Sequence, residues 1–452
     1  MKVLLIAFLL LISGSLVQAA EFLWLSDIHF DPLADPSIVD KLAAADATQW
    51  ESILASGSAR FPTYGQDTTW PLFSSVLKAS TQNHPKASFT IVTGDLLVHH
   101  FRDQFNAAAT VHDEAAFRSF VRKSIDFVTL ELKQRSPGTR VIVTLGNNDD
   151  ECADYAIQPN GPFLQDTAKV ISDVSGITDP DSYVRFGSYN VANPAIKNHR
   201  IIVLNTVFFS ARYRDACGNS NDDPGESLLS WLATNLADAR SDHQKVWLVY
   251  HIPPGVDAFA TTHAKQPSLG AVTLLWKEAY ADKFVSLLNQ YADVVGANFA
   301  GHLHVDDFRL LGESSKTAPF IVTEPAVSPI TGQNPTFRLV EYDSRGTLKD
   351  QDTYFLKNLA ETVNGSAPVW ELEYDFAKQW KLNGLNAANY SKLYEQLGAS
   401  PDDDARWMLL YSTSNLAGGS IKPGTFRQFY CAIGNISTKA YQACVAGPAS
   451  AR

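Results

Sequence analysis

Cysteine is scarce in this chain, methionine is nearly missing, and positive charge is in deficit. The four cysteines, at 152, 217, 431 and 444, form no Cys-x-x-Cys pair, which excludes the common structural zinc modules and thioredoxin-type redox motifs. Lysine and arginine total 37 against 48 aspartates and glutamates, a net charge of −11. That balance argues against a nucleic-acid polymer as partner, because such affinity rests on cations neutralising phosphates. A small phosphorylated substrate stays open, since bound metal ions dominate a local field whatever the global sign. Repeats and low-complexity tracts are lacking as well. Long apolar runs are confined to residues 3–12, which follow Lys2 and fall short of the roughly 20 apolar residues a membrane span needs. With Val17-Gln18-Ala19 behind it, this run predicts a signal peptide over 1–19. The expected product is a secreted monomer without a stable membrane span, destined for the extracellular space, periplasm or lysosome according to its source. An even cysteine count in an exported chain favours disulfides. Of three possible pairings, Cys431–Cys444 and Cys152–Cys217 are preferred. Glycosylation sequons begin at Asn364, Asn389 and Asn435.

Histidine and aspartate, by contrast, sit where chemistry needs them. Five short polar motifs each follow an apolar, β-branched or aromatic run: Asp27-Ile28-His29 after 22–26, Gly94-Asp95 after 89–93, Gly146-Asn147 after 141–145, His251 after 245–250, and Gly301-His302-Leu303-His304 after 294–300. In α/β sheets, ligands gather outside the carboxyl ends of strands, so distant residues can converge there. Two aspartates, one asparagine and four histidines mix hard oxygen with imidazole, which suits zinc, manganese or iron better than calcium. Seven donors exceed what one tetrahedral ion uses. Two divalent ions roughly 3.5–4 Å apart, sharing a carboxylate, would occupy them all and activate water for in-line displacement at phosphorus. Taken singly, each motif reads more readily as a turn with solvated side chains; their conjunction at five strand ends carries the two-metal reading.

The order D-x-H, G-D, G-N, H, G-H-x-H resembles the calcineurin-like metallophosphoesterases. The resemblance implies a four-layer α/β/β/α sandwich, with Asp27, His29, Asp95 and His304 on one ion and Asp95, Asn147, His251 and His302 on the other. Trp231-Leu232 and His251-Ile252-Pro253-Pro254-Gly255 also look like this family. A histidine four residues after the bridging aspartate, here His99, marks the acid sphingomyelinase-like phosphodiesterase branch, whose members are secreted or lysosomal and use zinc. One departure stands out. The family motif G-N-H-[DE] reads Gly146-Asn147-Asn148-Asp149 here, and an amide cannot serve as a general acid. Catalytic candidates are therefore His99, which can take over leaving-group protonation, and Asn148, which can donate to a phosphoryl oxygen.

Organisation follows from periodicity. Residues 31–64 predict loops and a short helix over the site. A helix is expected over 113–135, capped by Asp113 and ended by Ser136-Pro137-Gly138, with further helices over 226–239 and 279–291. After His304 the period drops to two, predicting strands at 308–311, 320–323, 337–342, 352–355 and 370–374 that would form the second sheet. From 377 the pattern turns helical. The expected division is 1–19 signal peptide, 20–376 metallophosphoesterase domain and 377–452 helical subdomain, whose Trp380, Trp407, Phe426 and Tyr430 read as packing. His84, His112, His199, His243 and His263 read as solvated.

The functional expectation is a dinuclear phosphodiesterase acting on small phosphodiesters or nucleotide diphosphate-type substrates. Alternatives are a phosphomonoesterase or nucleotidase, a sphingomyelin phosphodiesterase, or a metal-binding protein whose catalysis lapsed with Asn148. Sphingomyelin is disfavoured because the first motif begins right after the signal peptide, leaving no room for a lipid-binding saposin domain.

Overall fold

A computed structural model describes residues 20–82, 87–135, 140–152, 154–214, 223–263, 271–312 and 319–447. The expected signal peptide, His84, the expected 136–138 helix stop and Cys217 lie outside the described residues, and with Cys217 the expected Cys152–Cys217 pairing. Strands run in chain order as β1 (Ala20–Leu25), β2 (Ala87–Val92), β3 (Val141–Val143), β4 (Tyr189–Ala192), β5 (His199–Leu204), β6 (Lys245–Tyr250), β7 (Val295–Ala300), β8 (Phe308–Leu310), β9 (Phe320–Thr323), β10 (Thr336–Tyr342), β11 (Leu348–Leu356) and β12 (Trp370–Asp375). The central ones, such as β5, β6 and β9, are built from the β-branched and aromatic residues that suit a buried pleat.

Among the described residues they form two six-stranded sheets, ordered β12-β11-β10-β1-β2-β3 and β4-β5-β6-β7-β9-β8. The sequence expectation that the strands after His304 make a sheet of their own is thereby corrected. β10 lies antiparallel to β1, with Phe22 opposite Val340, while β9 lies parallel to β7, with Phe299 opposite Val322. Alternation along a strand reports which face is buried and not which strand lies alongside, so it could not show the late strands dividing between both sheets.

Aromatic side chains fill the space between the sheets. Phe22 of β1 meets Trp247 of β6 and Phe299 of β7 at 5.5 Å each, and Trp24 meets Phe299 edge-on at 5.1 Å. Tyr250 points the other way, onto Phe284 of the outer helix Glu278–Gln290 at 5.8 Å. Helices Trp70–Gln82 and Glu114–Arg135 contact the first sheet, and Pro224–Ser241 the second, completing four α/β/β/α layers. Asp113 caps its helix as expected, accepting from Ala116 N–H at 2.8 Å. Residues 31–64 hold two short α-helices where one helix was expected, Val39–Ala44 and Trp50–Ser56, each preceded by a 3-10 turn.

Helices Ala387–Gln396, Pro401–Tyr411, Phe426–Gly434 and Thr438–Ala446 follow β12. Their Tyr390, Leu393, Trp407 and Phe426 belong to the same continuous core as both sheets, and Tyr390 stacks 5.1 Å from Phe320 of β9. Trp380, Trp407 and Phe426 are buried in that packing. Cys431 and Cys444 are joined by the expected disulfide. His199 departs from expectation: it opens β5, is buried, and sits edge-on to Trp247 at 4.7 Å. No helix among the described residues is long and apolar enough to cross a membrane.

Candidate metal centre

The five motifs occupy the ends of β1, β2 and β3 in one sheet and of β6 and β7 in the other, so the site straddles the sandwich. The chain reaches it through a shared backbone device. Asp27, His29, Asp95, His302 and His304 all have positive φ, between +43° and +72°, a region that non-glycine residues visit in only a few per cent of cases. Such strain costs about 1–3 kcal/mol per residue and persists where the surroundings enforce it. Here the loops brace each other. Asp27 N–H donates to Gly94 O at 3.0 Å, His29 N–H to Asp95 O at 2.9 Å, and Gly301 N–H to His251 O at 2.9 Å. Two glycines allow the approach: a Cβ on Gly146 would stand 2.0 Å from Asp95 Oδ1, and one on Gly301 2.1 Å from Ser26 Oγ.

All seven sequence-derived donors converge. His29 Nε2 lies 3.2 Å from His304 Nε2 and 3.4 Å from Asp95 Oδ2, and His304 Nε2 lies 3.2 Å from Asp27 Oδ1. On the other side, His251 Nε2 lies 3.2 Å from Asn147 Oδ1, 3.3 Å from Asp95 Oδ2 and 3.3 Å from His302 Nδ1. These separations match the edge of roughly 3.3 Å that a tetrahedron has when its metal–nitrogen bonds are about 2.0–2.1 Å. Asp27, His29, Asp95 and His304 make one group fit to hold an ion and Asp95, His251 and His302 another, with Asp95 common to both. Asn147 adjoins the second.

Both carboxyls are held ionised and two of the histidines neutral, the forms that ligate a cation. Burial opposes ionisation of Asp27, yet His304 and His251 outweigh it and hold its carboxyl at about 2. Asp95 is held well below the usual range by His251 and His29 against the same burial. Burial drives His29 down to about 4 and His302 to about 3. His251 goes up, to about 9, because Asp95 and Asp27 overcome its burial. Among the described residues, every ion-pair partner of Asp27 and Asp95 is a histidine. Lysine and arginine take no part.

The two candidate catalytic residues part ways. Asn148 donates its backbone N–H to Asp95 Oδ1 at 2.8 Å and its amide to Asp95 Oδ2 at 3.0 Å, so its side chain serves the shared carboxylate. His99 stacks on His29 at 4.0 Å and bonds through Nδ1 to Asp67 Oδ1 at 3.0 Å. It lines both a 620 Å³ cavity, with Arg60, Phe61, Gln66 and Ile330, and a 440 Å³ cavity, with Arg102, Asn148, Asp154 and Arg214. Motif reading missed Asp67, Asp154 and Tyr155, none of which stands in a recognisable pattern. Asp149 was visible beside Asn148 but had no role; it accepts from Leu96, Leu97 and Gly146 N–H groups at 2.8, 3.1 and 2.8 Å, binding the Gly94-Asp95 loop to its own.

No protein-family model matches the chain. It is 26% identical to Acid sphingomyelinase-like phosphodiesterase 3b of Mus musculus, over 95% of this chain and 91% of the relative. It is 25% identical to Cyclic GMP-AMP phosphodiesterase SMPDL3A of Homo sapiens, over 83% and 79%. A solved dimetal phosphatase from Danio rerio is similar with a TM-score of 0.39 and 11% identity, over 74% of this chain and 95% of that one. The chain is thus similar along most of its length to acid sphingomyelinase-like phosphodiesterases, on a fold that brings the Asp and His donors together.

Proposed function

We propose that the protein is a secreted phosphodiesterase with two divalent ions, zinc ahead of manganese or iron, that hydrolyses small phosphodiesters or nucleotide diphosphate-type substrates. The observation that carries this is the pair of donor groups joined at Asp95, with no lysine or arginine among the described residues to neutralise them. In this reading Asp27, His29, Asp95 and His304 hold one ion, and Asp95, Asn147, His251 and His302 the other. When bound, such a pair supplies an activated water and a polarised phosphoryl group.

The chain's own residues supply the rest. Asn148 holds Asp95 in place rather than giving a proton. His99 protonates the leaving group: its Nδ1–H is committed to Asp67, which leaves Nε2 for the substrate. Asp67 keeps the ring more readily charged than usual, its hydrogen bond and charge outweighing burial. Two cavities that meet at His99 give a diester room for a substituent on each side, which favours diesters over monoesters. A relative named for cyclic GMP-AMP makes nucleotide-containing substrates the first to try.

Export through a signal peptide at 1–19, a catalytic domain over 20–376, a helical subdomain over 377–452 and a monomeric state belong to the same proposal. So does glycosylation at Asn364, which is exposed; Asn389 and Asn435 already spend their amides on backbone carbonyls.

The test is turnover of bis-p-nitrophenyl phosphate, then of cyclic dinucleotides, nucleotide diphosphates and phosphocholine esters, by metal-loaded protein of known metal content. Turnover lost on chelation and restored by zinc supports the proposal. Full metal occupancy with no turnover of any diester supports a binding protein instead.

A further inference from the structure

The seven donors differ in how they are held from behind. A metal-ligating histidine or amide is oriented by the bond its other end makes, and such outer partners tune affinity nearly as much as the ligands do. On the Asn147 side every outward-facing atom has a partner. His251 Nδ1 bonds Thr93 O at 2.6 Å, Asn147 Nδ2 donates to Asp154 Oδ1 at 2.7 Å, and His302 Nε2 lies 3.4 Å from Tyr155 OH. On the other side His29 Nδ1 bonds Leu97 O at 3.0 Å, but the buried His304 Nδ1 meets no partner among the described residues.

Two of these partners are adjacent in sequence. Tyr155 donates its backbone N–H to Asn147 O at 3.0 Å, takes φ +61°, accepts Arg214 N–H at 3.0 Å, and carries the Arg212 guanidinium 5.6 Å over its ring. It is buried, while Asp154 beside it faces outward. A carboxylate only accepts, so Asp154 forces the Asn147 amide nitrogen outward and its oxygen inward. The tyrosine hydroxyl stands where it can accept His302 Nε2–H, the tautomer that leaves the Nδ1 lone pair facing His251.

We propose that Asp154 and Tyr155 are positioning residues that make the ion held by Asp95, Asn147, His251 and His302 the tighter of the two, so that the loaded chain gives up the His304-side ion first. This rests on the two-ion reading above. Loss of such an outer partner lowers metal affinity by about 10- to 100-fold in other sites.

The experiment is a titration of metal-free protein with zinc against a chelating indicator, with stoichiometry read by native mass spectrometry, on wild type, Asp154→Ala, Asp154→Asn, Tyr155→Phe and His304→Ala. Circular dichroism of each metal-free variant confirms its fold. Wild type should bind two ions in two separated steps. Asp154→Ala and Tyr155→Phe should weaken the tight step about 10- to 100-fold and spare the weak one; Asp154→Asn, which keeps an acceptor oxygen, should restore it. His304→Ala should remove the weak step. Unchanged affinities in Asp154→Ala and Tyr155→Phe, or a loss confined to the weak step, would overturn the inference. Fewer than two ions in wild type would overturn the two-ion reading itself.

Discussion

Two buried charged clusters lie close together in this molecule, and among the described residues only one of them holds an arginine. Behind the β7–β9 strand ends, Arg338 is fully buried with Asp306 at 2.7 Å and Glu324 at 3.3 Å, and it donates to Thr353 Oγ1 at 2.9 Å and Thr323 O at 3.1 Å. At the rim, Asp27 and Asp95 are equally buried, but among the described residues their ion-pair partners are all histidines. Buried charge is tolerated when compensated. The first cluster is compensated by the fold; the second is left for ions to complete. A missing lysine or arginine is thus as informative as a present histidine.

The comparison can be broken at either end. Asp95→Asn, which removes the shared charge, should abolish turnover of bis-p-nitrophenyl phosphate and impair loading of both ions, read by metal analysis and by rate. Arg338→Met should do the reverse. By stranding buried carboxylates it should cost about 3–5 kcal/mol of stability in urea denaturation, while molecules that remain folded still bind metal. His99→Gln tests the rim more finely: rates on alkyl diesters should drop about 100-fold or more, as for loss of a general acid, and those on aryl diesters much less. Equal losses across leaving groups would remove His99 from proton transfer.

The smallest effect concerns Glu373, which accepts from Ser414 Oγ at 2.8 Å. Burial and Asp306 raise its carboxyl to about 8 from the ordinary 4.5. The folded chain therefore keeps a proton that the unfolded chain has released, and stability should fall as pH rises through that window. Glu373→Gln should flatten the fall, as seen in melting temperatures across the same range.

How much of this was legible in sequence follows the same division. The rim could be read because its chemistry is local: D-x-H and H-x-H place two donors two residues apart, each after a plain apolar run. His99 was marked only by the resemblance, whose branch places a histidine four residues after the bridging aspartate. Arg338 and Glu324 could not, since nothing local marks a lone arginine in a strand as buried. Asp67, Asp154 and Tyr155 act through contacts with residues that only the fold, or a tight loop, brings near. β5 carries an obvious strand signal in Ile201–Leu204 yet holds no ligand, so a reading anchored on motifs passes over it. The pairing of β9 and β10 with different sheets was hidden for a related reason: partner choice depends on what both faces and both edges meet across the whole chain.

The central claim is that Asp95 sits between two cations. Crystals soaked in manganese and measured for anomalous scattering test it most directly. The account predicts two peaks roughly 3.5–4 Å apart, one toward His29 and His304 and one toward His251 and His302, with Asp95 touching both. A single peak, or peaks away from Asp95 in protein that still hydrolyses diesters, would contradict it.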